Sequence, residues 1–140
     1  MADGDKVWGT LTLREAERLV KRYEDLAGSG KPDRIAESFA TDVIVRFADF
    51  PEMHGLTDLK QFFAARIARM RNYRLTKRLR AVAGDLIICS WDGAWEDGRD
   101  GRSMEGRGVE FMTLRDGKIT VWEAVFNVWE RGTSGSLPIV

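Results

Sequence analysis

Two carboxylates, Glu110 and Glu123, lie in otherwise apolar β-type runs near the end of the chain. Asp116-Gly117 separates the two runs, and an Asp-Gly pair between β-rich segments predicts a hairpin with a two-residue turn. A regular register across this turn places Glu110 directly opposite Glu123, where like charges destabilise a sheet. Three interpretations follow: one carboxyl is protonated and does acid/base work, an arginine such as Arg46 neutralises the pair, or both face solvent or a dimer partner.

The only histidine, His54, lies in a loop between a predicted strand and a predicted helix. Histidine changes charge near neutral pH without any perturbation, and Asp49 is near enough in sequence to orient it. We predict that His54 lies over a pocket and is catalytic together with Glu123 and Glu110; the alternative is an ordinary loop residue. One histidine without a cluster of further ligands does not define a metal site, so we expect no metal and no other cofactor.

Two tryptophans, Trp91 and Trp95, are four residues apart in one β-type run and therefore share a face of the sheet. Such a pair can stack on a planar ligand, or it can belong to the core or to a dimer interface. Cys89, in the same run, is predicted to be an inert buried thiol.

The composition is that of an ordinary globular domain, with 44% hydrophobic and 31% charged residues and a net charge of zero. Eight basic residues lie between Lys60 and Arg80 without an acid among them, but the overall balance favours a solvated or neutralised face over a nucleic-acid site. No apolar run is long enough to span a bilayer, and no signal-peptide pattern is present. Together with the single cysteine, these features predict a cytoplasmic protein without nucleic-acid or membrane partners.

The spacing of apolar residues predicts three helices and five strands. The first helix starts at a Thr12/Glu15 capping box, the second follows Pro32, and the third is capped by Thr57. The predicted strands cover 43–47, 73–83, 86–95 and the two arms of a hairpin at 103–129. We predict an α+β fold: the helices pack in the concave face of a curved, mostly antiparallel sheet, a cone-shaped barrel with a pocket. One domain at 12–131 lies between a flexible lead-in at 1–11 and a flexible tail at 132–140.

Several motifs resemble one known group of proteins. They are the segment from Pro32 to Val43, a loop ending in His54-Gly55, and a final strand that starts Arg-Asp-Gly-Lys-Ile-Thr-Val-Trp. Over residues 12–130 the chain resembles the nuclear transport factor 2-like superfamily, and within it the SnoaL-like proteins. Tyr-Arg-Leu-x-Lys at 73–77 and Glu-Ala-x-x-Asn at 123–127 resemble an uncharacterised branch of these proteins.

The resemblance implies a pocket but no single reaction, because the superfamily includes isomerases, dehydratases, cyclases, hydrolases and binding modules. Residue matches argue against two of the enzymes. The water-activating aspartate of limonene epoxide hydrolase falls on Asn127, and the base of ketosteroid isomerase falls on Phe47. The two alignments also disagree about the last strand: the first places Glu123 and Asn127 inside, and the second places Trp122 and Ala124 inside.

We therefore predict a small-molecule pocket protein, a cofactor-independent lyase, isomerase or hydrolase that uses acid/base chemistry on a small, partly apolar organic substrate. The alternative is a non-catalytic ligand-binding or protein-interaction module of the same fold. The last strand is apolar on both faces, so we also expect a homodimer through the outer face of the sheet. The predicted substrate-binding residues are Trp91, Trp95, Asn127, Arg46, Tyr23 and Phe47, of which Tyr23 is implied by the resemblance.

Overall fold

The structure is a computed structural model that describes residues 11–133. The predicted lead-in up to residue 10 and the predicted tail from residue 134 lie outside the described residues. The helices are α1 (Leu13–Ala27), α2 (Pro32–Ala36) and α3 (Gly55–Arg69). The strands are β1 (Phe39–Phe47), β2 (Met53–His54), β3 (Met70–Ala83), β4 (Leu86–Asp97), β5 (Ser103–Arg115) and β6 (Lys118–Glu130).

Within residues 11–133 the strands form one six-stranded sheet in the order β2-β1-β6-β5-β4-β3. Only β1 and β6 of these neighbours run parallel, and the other pairs are antiparallel. The helices cover one face of this curved sheet, so the predicted α+β fold is confirmed. The short strand β2 was not predicted.

The N-termini of the helices match the predicted caps in two cases out of three. In α1 the Glu15 amide donates to Thr12 Oγ1 at 3.1 Å, and the Thr12 amide donates to Glu15 Oε2 at 2.9 Å. Pro32 is the first residue of α2, as expected. The predicted cap at Thr57 is wrong, because α3 already begins at Gly55, whose φ of +82° brings the chain out of β2 directly into the helix.

The last hairpin has the predicted turn but not the predicted register. Asp116 and Gly117 both have positive φ, at 52° and 74°, as a two-residue turn of this type requires. Beyond the first two pairs, Thr120 is an extra residue on β6, so Thr113 pairs with Val121. This β-bulge shifts every later pair by one position. The alternation of faces along β6 is therefore set by a feature that composition does not reveal.

The shifted register separates the two hairpin carboxylates. Glu110 pairs with Ala124, and Phe111 pairs with Glu123. Because neighbouring residues of a strand point to opposite faces, Glu110 lies on the helix-covered face and Glu123 on the outer face. The expectation that Glu110 and Glu123 face each other is wrong.

An ion pair holds the end of α3 against the β4–β5 connection. Arg69 donates from Nε and Nη2 to the two oxygens of Asp97 at 2.8 and 2.9 Å. The Arg69 hydrogen bonds, helped by the Arg99 amide, lower the pKa of Asp97 to about 2. Since Asp97 is buried, this bidentate contact sets where the last turn of α3 lies above the sheet.

None of the helices in the described range is both long and apolar enough to cross a membrane.

Candidate functional site

A cavity of about 540 Å³ lies between the helices and the concave face of the sheet. Its buried walls come from α1, α2, α3, β1, β4, β5 and β6. Its exposed lining residues, which mark the mouth, are Gly28, Gly30, Arg71, Asn72 and Glu96. This volume is within the range of small-molecule sites.

Aromatic rings form one part of the apolar cavity wall, beside aliphatic residues such as Ile35, Met112 and Ile119. Trp122 lies in contact with three phenylalanines, with ring centroids 5.6 Å from Phe39, 5.2 Å from Phe47 and 5.9 Å from Phe63. Phe39 also contacts Phe63 at 5.8 Å. Such a wall favours a flat apolar body over a fully hydrated one.

The most deeply buried carboxylate of the described residues is in this wall. Glu110 is 2% exposed, and its Oε2 accepts a hydrogen bond from Trp122 Nε1 at 3.1 Å. Its other oxygen, Oε1, accepts from the Lys77 ammonium. A charge at this depth is stable only with a partner, and Lys77, with 9% of its side chain exposed, supplies it.

Lys77 is a site residue that was not predicted from the sequence, although the alternation along β3 indicates it. Tyr73, Leu75 and Leu79 mark the inward face of β3 by alternation, and Lys77 has the same parity. Its backbone amide donates to Glu24 Oε2 on α1 at 2.8 Å, which ties the free edge of β3 to that helix. A lysine on the apolar face of an alternating strand therefore predicts a buried cation with a partner.

Two further polar groups lie on the cavity wall near this pair. Burial raises the pKa of Tyr73, with the Glu110 charge adding to the effect, so that the phenol stays protonated. Arg66 on α3 donates from Nη2 to Tyr73 Oη at 3.4 Å.

Cys89 is fully buried, as predicted, and burial raises the pKa of its thiol to about 12.

Comparison with known proteins identifies the family. A family profile for the SnoaL-like domain matches residues 20–122. The chain belongs to the SnoaL-like family, within the nuclear transport factor 2-like superfamily. A comparison with curated proteins finds no match.

Three solved structures illustrate the fold of this SnoaL-like domain. SalBIII, an epoxide hydrolase/cyclase-like enzyme with a role in pyran ring formation in the polyether salinomycin, is 15% identical, with a TM-score of 0.74 over 84% of this chain and 96% of that one. A hypothetical protein with a ketosteroid isomerase-like fold from Catenulispora acidiphila, solved in complex with trimethylamine, is 17% identical, with a TM-score of 0.70 over 76% of this chain and 83% of that one. An NTF2-like protein from Exiguobacterium is 20% identical, with a TM-score of 0.68 over 78% and 98%. At these identities the similarity shows the fold alone.

Several predicted site residues of the SnoaL-like domain do line the cavity. They are Glu110, Trp91, Tyr23 and Phe47. Tyr23 Oη donates to the Gly117 carbonyl at 3.2 Å, and burial raises its pKa above the ordinary value. Trp95 lies on the same face as Trp91 but stacks on Tyr73, with centroids 5.9 Å apart, and does not line the cavity.

The remaining predicted residues lie on the outer surface. His54 Nε2 contacts Glu52 Oε1 at 3.0 Å, and Arg46 Nε contacts Glu52 Oε2 at 2.8 Å. Arg46 also lies 3.9 Å from Glu123 Oε2 in an exposed pair, whereas the partner of Glu110 is Lys77, so Arg46 does not neutralise both hairpin carboxylates. None of these residues lines the cavity, and the placement of His54 over the pocket and of Glu123 and Arg46 in it is wrong.

Asn127 is exposed and shares the outward parity of Glu123. Its predicted place in the pocket is wrong for the same reason, because the bulge at Thr120 turns this set of residues outward. Trp122 and Ala124 are buried on the inner face. The structure thus decides between the two alignments in favour of the second.

The basic run from Lys60 to Arg80 is partly neutralised by acids from other elements. Four ion pairs do this: Lys60–Asp33, Arg69–Asp97, Lys77–Glu110 and Arg78–Asp92.

Residues 11–133 also contain no group of three or more histidine, cysteine, aspartate or glutamate side chains that could hold a metal ion.

Proposed function

We propose that this SnoaL-like protein is a small-molecule enzyme of the lyase, isomerase or hydrolase type, with Glu110 as its acid/base group. The observation that carries the proposal is the position of Glu110: a buried carboxylate on the wall of a cavity lined mainly by apolar residues. Buried titratable groups in a pocket with a specific charge partner are a frequent mark of catalytic sites.

In the proposed mechanism, Glu110 removes a proton from a substrate carbon next to a carbonyl group. The Lys77 ammonium, now next to a neutral carboxyl, stabilises the negative charge that develops on the substrate oxygen. Return of the proton to a different carbon completes an isomerisation, and loss of a leaving group from the neighbouring carbon completes an elimination. Trp122 Nε1, which already donates to Glu110, keeps the carboxylate oriented throughout.

The proposal differs from the sequence prediction in the roles of His54 and Glu123, which receive none because they lie outside the cavity. Trp91, Phe47 and Tyr23 keep their predicted role as walls for the substrate. The chemistry needs no cofactor, because a carboxylate and an ammonium supply both the base and the electrophile. We place the protein in the cytoplasm, where its free and buried Cys89 is compatible with a reducing environment.

We expect Glu110→Gln to lower turnover by about 10²–10⁴-fold, since the amide cannot take the proton. The measurement uses a panel of small aryl and cyclic ketones in deuterium oxide. NMR monitors the rate at which their carbon-bound protons exchange for deuterium, so the loss is detected whatever the final product is. Glu123→Gln is the matched control: it removes an exposed carboxylate from the neighbouring strand and should leave exchange unchanged.

A second function, non-catalytic ligand binding, is supported by one feature of the same site. The Lys77–Glu110 ion pair satisfies both charges without any ligand, which is also what a purely structural pair does. If the panel binds to the wild type while exchange equals that of Glu110→Gln, the protein is a binding module. Circular dichroism of each variant confirms that the comparison is made on folded protein.

The outer face of the sheet supports the predicted homodimer. Val125 is 61% exposed and Phe111 is 36% exposed on neighbouring strands. We expect light scattering to give about twice the monomer mass of 15.9 kDa and Val125→Lys to give the monomer, because a charge in an apolar interface is left without a partner. Leu13→Lys is the control, since Leu13 is equally exposed, at 63%, but lies on α1. A monomeric wild type would contradict the dimer.

A further inference from the structure

Arg66 is a charge in the cavity wall for which the proposed chemistry has no use. Among the lysines and arginines of residues 11–133, Arg66 and Lys77 are the two least exposed, and both line the cavity. Lys77 has Glu110 as its partner. Arg66 has no carboxylate within 4 Å anywhere in this part of the chain.

The contacts of Arg66 are all to neutral groups. Its guanidinium lies over the rings of Phe47 and Tyr73, at 5.2 and 5.5 Å from the centroids. Its polar contacts are a 3.4 Å hydrogen bond to Tyr73 Oη and a 3.2 Å contact to Met70 Sδ. These contacts fix the direction of the guanidinium and leave its charge uncompensated, since ring faces and a thioether carry no net charge.

The position of Arg66 is rigid for an independent reason. Three residues further along α3, Arg69 is held by both oxygens of Asp97. Gly98, next to Asp97, donates its amide to the Arg69 carbonyl at 2.6 Å. The last turn of α3 is therefore fixed on the sheet, and a fixed guanidinium loses less conformational entropy when it binds a ligand.

The charges of the cavity leave a single positive charge at Arg66. Lys77 and Glu110 cancel each other as an ion pair. At the mouth, Arg71 on β3 and Glu96 on β4 are exposed residues of opposite charge, so together they add no net charge to the lining. One uncompensated cation matches a monoanion, whereas a phosphate dianion would bring a second negative charge close to Glu110.

We propose that Arg66 binds the carboxylate of the substrate, and that the substrate class is small carboxylic acids with a flat apolar body. The planar guanidinium donates two parallel hydrogen bonds to a carboxylate, which neither an ammonium nor an amide can do. The apolar body then lies against the rings around Trp122. This inference rests on the proposed function, in which the cavity is the substrate site. It adds the class of substrate that the cavity binds.

The test compares 2-naphthoate with 2-naphthamide, which have the same shape and differ in charge, by titration calorimetry. We expect the wild type to bind the acid about tenfold to a hundredfold more tightly than the amide. Arg66→Gln should remove this preference and leave binding of the amide nearly unchanged. Arg66→Lys keeps the charge but loses the two parallel N–H donors of the guanidinium, so it should retain only part of the preference.

Arg71→Gln is the matched control, because it removes an exposed cation at the mouth of the same cavity while keeping Arg66. It should preserve the preference for the acid. Equal binding of acid and amide by the wild type, an unchanged preference in Arg66→Gln, or no binding of either probe at its solubility limit overturns the inference. Tighter binding of 2-naphthyl phosphate than of 2-naphthoate overturns the monoanion class.

The same measurements separate this inference from the proposed reaction. Glu110→Gln should lose proton exchange and still prefer 2-naphthoate, since Arg66 is intact and the Lys77 charge is no longer offset. Loss of preference in Arg66→Gln together with normal exchange of neutral ketones would support the carboxylate site and leave the reaction standing. A preference for the acid in a protein without any exchange would support the carboxylate site alone and reject the reaction.

Discussion

Lys77→Met should lower the free energy of unfolding by about 3–5 kcal/mol, because it leaves the Glu110 carboxylate buried without its cation. Methionine has nearly the same length and keeps the apolar stem that packs along β3. Urea unfolding at neutral pH measures the change. Arg78→Met is the matched control: Arg78 is the next residue on the same strand, its pair with Asp92 is exposed, and its loss should cost at most about 1 kcal/mol.

The double variant Lys77→Met/Glu110→Gln should lose much less free energy of unfolding than the losses of the two single variants added together. Each single substitution leaves one buried charge uncompensated, whereas the double substitution leaves none. After Glu110→Gln the side-chain amide oxygen can still accept from Trp122 Nε1. Additive losses in this cycle would show that the two side chains do not interact in the folded protein, and the proposed site would lose its charge pair.

Gly108→Ala should destabilise the protein by about 1–3 kcal/mol or more, because an added methyl group has no room. A Cβ at this position would lie 2.6 Å from Phe126 Cβ, would collide with the Val125 carbonyl oxygen, and would lie 3.0 Å from Trp91 Nε1. β5 and β6 must therefore move apart, because the two nearest atoms belong to β6, and the Trp91 indole must also give way slightly. Since Trp91 lines the cavity, we also expect weaker binding of the naphthyl probes.

The control for Gly108 is Gly84→Ala in the turn between β3 and β4. Gly84 has a φ of +62° and nothing within 4 Å of an added Cβ, so its substitution introduces backbone strain without a clash. We expect a loss of about 1 kcal/mol there and unchanged probe binding. A Gly108→Ala variant that is no less stable than Gly84→Ala would show that β5 and β6 are less tightly packed than the structure indicates.

Local sequence is sufficient for the features that depend on neighbouring residues. The Thr12/Glu15 capping box and the Asp116-Gly117 turn form as predicted, because the hydrogen bonds and positive φ angles they need are satisfied within a few residues. The α+β fold also follows from the sequence, since helical and alternating apolar spacing specify which face of each element is buried. Glu110 was identified on this basis, as a carboxylate in an apolar strand.

Which charged residues meet depends on the register and order of the strands in the folded sheet. The bulge at Thr120 inverts the parity of β6 beyond it, and one extra residue in a strand leaves no reliable trace in its composition. Glu123 therefore joins Arg46 on the outer face, and Glu110 faces the cavity.

The same reason explains the residues that sequence reasoning missed. Lys77 and Glu110 are separated by 33 positions in the chain. They meet across β4, because the strand order places β3 and β5 on its two sides and both side chains point to the same face of the sheet. Arg66 enters the cavity because the distant Asp97 fixes the last turn of α3. Pairings of this kind depend on strand order and on helix position, which are set by packing of the whole domain and not by any local pattern of residues.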